Sequence, residues 1–117
     1  MKNRKLSQLE WKNRFTYVKN VPFNQEDLHC EGTKFQVVKF KSGTSIKPHY
    51  HKKTFEIFYI RKGSGTLILN GEKFECQPDD FFLCEPNDVH EVVNNNDEDF
   101  IILIFKTNEV EEDIYWD

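Results

Sequence analysis

Only three cysteines occur in this 117-residue chain, Cys30, Cys76 and Cys84, and none of their spacings fits a disulfide framework, a CxxC pair or a zinc ribbon. That excludes a covalently stapled mini-protein and a cysteine-held zinc module, and it points to a reducing, cytoplasmic setting. Long apolar runs are missing as well, since none approaches the ~18 residues needed to cross a bilayer. The basic start, Met1 to Trp11, has no apolar stretch behind it, so no secretory signal is expected. Nor is there a surplus of positive charge. Sixteen Lys and Arg against twenty Asp and Glu give a formal charge of −4, which argues against nucleic-acid binding through a basic surface. A chain of this length closes one core and leaves no room for a separate effector module such as a helix-turn-helix. Aromatics are plentiful by contrast. Eleven Phe supply much of the prospective core, in a composition of 38% apolar and 31% charged residues that is ordinary for a soluble domain.

Along the chain, Ser7-Gln-Leu-Glu10 has the form of a capping box and predicts a short helix through about Phe15. Residues 21–32 mix turn formers without a sustained period and read as a loop or irregular edge. From Phe35 the pattern becomes strand-like, with β-rich runs at 35–40, 46–51, 55–60, 81–85, 90–94 and 100–106. The clearest local pattern is Thr66 to Cys76, two strands joined by Asn70-Gly71, a pair that favours a tight type I′ hairpin. Eight or so short strands at regular spacing indicate an all-β, antiparallel sandwich or barrel. The expected organisation is one domain: an N-terminal extension over 1–34, a barrel over 35–106 and an acidic C-terminal extension over 107–117. The first nineteen residues carry six Lys or Arg and the last eleven carry five acids, which suits two solvated ends or an electrostatic pair. Val110, Ile114, Tyr115 and Trp116 give the C-terminal segment too much apolar surface for a floating tail, so it is expected to pack on the domain.

Three of the four histidines gather near one carboxylate in this strand-like region. His49 and His51 are two apart, so in an extended strand their imidazoles share a face, about 6 to 7 Å apart at Cα. A bare His-x-His is also a common surface feature. With Glu56 following and His90 further on, the donor set suits a borderline divalent ion, Fe, Mn, Ni, Cu or Zn, rather than Ca or Mg, which prefer oxygen. Lys47 lies two residues before His49, and strand parity points its ammonium toward the same side, where it would meet an anionic ligand; the alternative, slightly favoured, is that the strand starts later and Lys47 is solvated. Phe58 and Ile60 share parity with Glu56 and are expected to form apolar walls of the pocket. Tyr50 and Tyr59 have the opposite parity and belong to the surface. Cys76 and Cys84, inside strands, read as inert small hydrophobes, and His29 as a solvent-facing side chain.

Gly43, His49, His51, Glu56 and Gly63 stand at five fixed positions, with five residues before His49, four between His51 and Glu56, and six before Gly63. In this the segment resembles the first motif of the cupin superfamily. The second motif is half kept. His90 and Asn94 match, while Asp79, Glu85 and Asn87 stand where the family has glycine, proline and glycine. Asn tolerates positive φ, so Asn87 can make a turn in place of glycine, and Pro86 stiffens the same corner. The resemblance covers roughly residues 35–106 and implies a cupin jelly roll, a double-stranded β-helix. It implies one divalent transition metal held by His49, His51, Glu56 and His90. For a small single-domain cupin of this kind it further implies metalloenzyme activity of dioxygenase, isomerase or lyase type on a small polar, anionic or sugar-derived molecule. The alternative is a cupin that binds or senses a small ligand without turnover. Sheet edges and seventeen aromatics, which need cover, give the expectation of a homodimer.

Overall fold

A computed structural model describes residues 1–117. It contains eleven strands: β1 (Lys12–Arg14), β2 (Tyr17–Phe23), β3 (Lys34–Phe40), β4 (Ser45–Tyr50), β5 (Phe55–Lys62), β6 (Gly65–Leu69), β7 (Glu72–Cys76), β8 (Phe81–Cys84), β9 (His90–Val93), β10 (Phe100–Thr107) and β11 (Tyr115–Trp116). Six form one antiparallel sheet in the order β1-β2-β3-β10-β5-β8, and five form a second in the order β11-β4-β9-β6-β7. This is the antiparallel jelly roll expected from the strand pattern. The inner faces meet in one core, with Val38, Phe40, Phe58, Ile60, Ile102 and Ile104 from the first sheet against Ile46, Leu67, Cys76 and Val92 from the second.

The Asn-Gly hairpin forms as its sequence dictates, with Asn70 at φ 50 and Gly71 at φ 83. Asn87 (φ 73) and Asp79 (φ 76) also take the left-handed conformation, so two non-glycine residues turn the chain where the family pattern has glycine. Gly63 has no such latitude. At φ +79, a Cβ there would collide with the backbone carbonyl of Asp99.

The N-terminal third differs from expectation. The Ser7 capping box makes no side-chain cap, and only a single 3-10 turn forms over Leu6–Gln8. Residues 12–23 become β1 and β2, and β2 pairs with β3, so the first sheet begins well before residue 35. The β2 run Tyr-Val-Lys-Asn-Val-Pro-Phe disguises its alternation, because Lys19 faces inward and a bulge falls between Asn20 and Phe23. A capping box does exist further on. Asn24 and Asp27 exchange side chain to backbone bonds of 3.0 Å each around the one-turn helix α1 (Gln25–Leu28). No helix is long and apolar enough to cross a membrane.

The C-terminal segment packs on the domain. Its strand β11 pairs with β4, placing Tyr115 opposite Tyr50 and Trp116 opposite His49.

Candidate metal and ligand site

One end of the barrel opens into a cavity of about 490 Å³, within the usual size for a small-molecule site. Strand β4 brings His49 opposite His90 on β9, and Glu56 enters from the facing sheet on β5. The three imidazoles offer nitrogens that all lie within 4.8 Å of one another. His51 Nε2 is 2.7 Å from Glu56 Oε1, and His90 Nε2 is 3.2 Å from the same oxygen. The structure therefore gathers the nitrogens of His49, His51 and His90, with Glu56 against His51 and His90.

Each ring is oriented from behind. The Nδ1 atoms of His49, His51 and His90 lie 2.8, 2.5 and 2.9 Å from the carbonyl oxygens of Lys47, Asp113 and Asp88. A carbonyl can only accept, so each Nδ1 carries a hydrogen and each Nε2 is turned toward the centre. His51 Nε2, His90 Nε2 and Glu56 Oε1 are buried at that centre and have no hydrogen-bond partner beyond one another. Buried polar atoms are nearly always paired. Three that converge, with one negative charge among them, fit a divalent transition ion.

The electrostatics agree. Burial lowers the His49 pKa to about 4, with His90 adding to the effect, so the ring is neutral and ready to ligate. Burial also works against a charged His51, but the hydrogen bond and charge of Glu56 outweigh it and raise its pKa. Burial alone would raise the Glu56 pKa, yet bonds from His51 and His90 and the charge of Lys106 hold it well below the usual carboxylate range. The buried thiols are inert: burial raises the pKa of Cys76 to about 11, and that of Cys84, close to Glu56, higher still.

Two expected pocket residues lie elsewhere. Lys47 is exposed and does not line the cavity. The β4–β9 register shifts between Ile46 and His49, so one extra residue is absorbed there, Ile46 and His49 both face inward, and Lys47 is turned out. Parity counted back from His49 fails across that bulge. Ile60 faces inward but is sealed in the core at 1% exposure, away from the cavity, whereas Phe58 does line it. Tyr50 stacks on Tyr115 and Tyr59 bonds Asp79, both outside the cavity.

Other residues at the site emerge only in three dimensions. Asp113 accepts hydrogen bonds from the Lys52, Lys53 and Thr54 amides and from Thr54 Oγ1, at 2.8 to 3.0 Å, and so fixes the turn between His51 and Glu56. Trp116 packs 5.5 Å from the His49 ring and 4.9 Å from Phe15. Lys106 approaches Glu56 at 3.9 Å. A lysine at inward parity with Ile102 and Ile104 on an apolar strand was a legible sign of Lys106. Asp113 had no local sign.

The cupin domain family model matches residues 36–106. An oxalate-binding protein from Thermotoga maritima is 29% identical over 83 residues, 69% of either chain. Among solved structures, a predicted oxalate decarboxylase from Thermotoga maritima superposes with a TM-score of 0.82 at 20% identity, covering 90% of this chain and 97% of that one. The polyketide cyclase RemF from Streptomyces resistomycificus gives 0.81 at 19% identity, covering 97% and 89%. KdgF from Halomonas sp. gives 0.79 at 19%, covering 92% and 94%. At these identities the structural matches establish the fold alone.

Proposed function

The chain belongs to the cupin domain family, and from that premise we propose that it holds one divalent transition metal, Fe, Mn, Ni, Cu or Zn, through His49, His51, His90 and Glu56, and acts on a small anionic or sugar-derived molecule in the adjoining cavity. The observation that carries this reading is the convergence of His51 Nε2 and His90 Nε2 on Glu56 Oε1, at 2.7 and 3.2 Å, all three buried and without a partner outside the cluster. When bound, such an ion supplies Lewis acidity toward a chelated oxygen. The chain's own part is to orient the rings through the carbonyls of Lys47, Asp88 and Asp113 and to keep His49 neutral. Phe58, Ile104 and Val92 give the cavity apolar walls. Lys106 keeps a positive charge beside Glu56, since the Glu56 and Glu109 carboxylates outweigh the effect of burial and raise its pKa.

Elemental analysis of tag-free protein tests the reading. About one transition metal per chain is expected, with His49→Ala and His90→Ala abolishing uptake and Glu56→Ala only weakening it. Absence of stoichiometric metal after exposure to Fe, Mn, Co, Ni, Cu and Zn would overturn it. A second reading, binding without turnover, is favoured by the curated relative, which is named for binding. Release of product from a bound acid separates the two.

The free thiols, including exposed Cys30, suit a cytoplasmic location. A homodimer is the proposed assembly, formed through the outer face of the first sheet at β8. There Phe81, Leu83, Ile57 and Phe55 are 69, 50, 43 and 37% exposed and lie side by side.

A further inference from the structure

The wall opposite the histidines has its own chemistry. On β3 the inward positions are Lys34, Gln36, Val38 and Phe40, and on β10 they are Ile102, Ile104 and Lys106. Register aligns Lys34, Lys106 and Glu56 in one row across β3, β10 and β5, and Gln36, Ile104 and Phe58 in the next. Lys19 reaches the same space from β2.

Gln36 is only 2% exposed, lines the cavity and leaves its Oε1 without a partner. An amide oxygen placed so in a cavity wall can accept from a ligand or water hydrogen. Lys106 sits between two carboxylates, 3.2 Å from Glu109 and 3.9 Å from Glu56. Lys34 also pairs with Glu109, at 2.8 Å. Lys19 has no carboxylate within salt-bridge distance, and the charges that act on it most are Lys106 and Lys34, both of its own sign. A half-buried cation among cations is costly unless an anion arrives to share it.

The acids nearby do not supply that anion. Glu56 belongs to the metal position, Glu109 is shared by two lysines, and Asp113 is consumed by backbone amides. Glu26, Glu111 and Glu112 are exposed residues of the rim. Three lysines then face two carboxylates inside, and a divalent ion would make the interior more cationic still.

We infer that Lys19 and Lys106 form a second subsite that takes a carboxylate of a ligand whose other end chelates the metal, so that the cavity selects dianionic acids over monoanionic ones. The inference deepens the metal reading above and rests on it. Chelation fixes one end of the ligand and the ammonium groups neutralise the other.

Calorimetric titration of nickel-loaded protein with malate and lactate tests this, because the two share a hydroxy-acid chelating end and differ in the second carboxylate. Malate is expected to bind at least about tenfold tighter, the scale of one charge-assisted contact. Lys19→Met should remove most of that preference by weakening malate and leaving lactate unmoved. Lys47→Met, outside the cavity, should change neither. Equal affinity for the two acids, parallel weakening of both in Lys19→Met, or identical behaviour of Lys19→Met and Lys47→Met would overturn the subsite. Metal content measured on the same samples tests the other reading separately. If no metal enters, malate alone is scored on the same variants: binding lost in Lys19→Met supports the cationic wall, and binding absent or indifferent to the substitution refutes it.

Discussion

Lys19 shows how one side chain can cost stability in return for recognition. Burial, then the charges of Lys106, Lys34 and Arg14, lower its pKa from 10.5 to about 8, and only Glu109 offsets them. The facing groups come from β1, β3, β10 and the segment after it, so no element supplies full compensation. Between about pH 8 and 10.5 the unfolded chain binds a proton that the folded chain has released, so stability rises with pH across that window and the cost is fully present below it. Lys19→Met keeps most of the aliphatic stem and removes the charge. It should stabilise the ligand-free protein at pH 7 by roughly 1 kcal/mol, after allowance for solvent screening of a partly exposed group. Urea midpoints compared at pH 7 and above pH 10 check this. The advantage should shrink at the higher pH, and a variant less stable at pH 7 would show that Lys19 is already paired.

At the scale of the element, β4 is an informative strand because both its neighbours shape the site. The bulge against β9 delivers His49 to the inner face, while pairing with β11 lays Trp116 beside it. The C-terminal segment that ends in β11 also carries Asp113, whose carboxylate pKa is lowered because its bonds from Lys52, Lys53 and Thr54 outweigh burial. Asp113→Ala strands three backbone amides and a hydroxyl, and a loss of about 3 kcal/mol is expected. The same substitution frees the turn that sets His51 relative to Glu56. In a Trp11→Phe background, copper should quench the emission of Trp116, and Asp113→Ala should reduce that quenching even where the protein remains folded. Undiminished quenching would mean that the segment is held by β11 pairing alone.

For the whole molecule, the two sheets divide their labour. Their inner faces hold the core and the cavity, and the outer face of the first sheet keeps an apolar strip at its β8 edge. There Ile57 lies opposite Leu83 and Tyr59 opposite Phe81. An edge strand with unpaired backbone groups and such a strip invites a second copy across a two-fold axis, where the same patch serves both partners. Light scattering should give twice the 14.0 kDa chain mass at micromolar concentration. The double substitution Phe81→Asp and Leu83→Asp should return the monomer while leaving metal uptake intact. A wild-type monomer would refute the interface, as would a dimer indifferent to those two changes.

What the sequence determined by itself was local or short in range. Strand periodicity marked β3 to β10, Asn70-Gly71 set its hairpin, and the His49, His51 and Glu56 spacing marked part of a donor set, because each depends on nearby backbone geometry, whereas His90 was joined to them by the resemblance to the second cupin motif. Asn87 was legible for the same reason, since positive φ is a property of the single residue. Tertiary structure alone decided the rest. Lys47 turned outward because a bulge is a relation between two strands, and parity within one strand cannot record it. Residues 12–23 became strands only because β3 offered an edge to pair with, overriding a weak capping box. Asp113 met the turn at Lys52 from about sixty residues away in the chain. Lys19, Gln36 and Lys106 came from three strands that register places side by side, and nothing in their sequence neighbourhoods binds them together. Donor chemistry was written in the chain, and the cavity those donors face was assembled by pairing between distant strands.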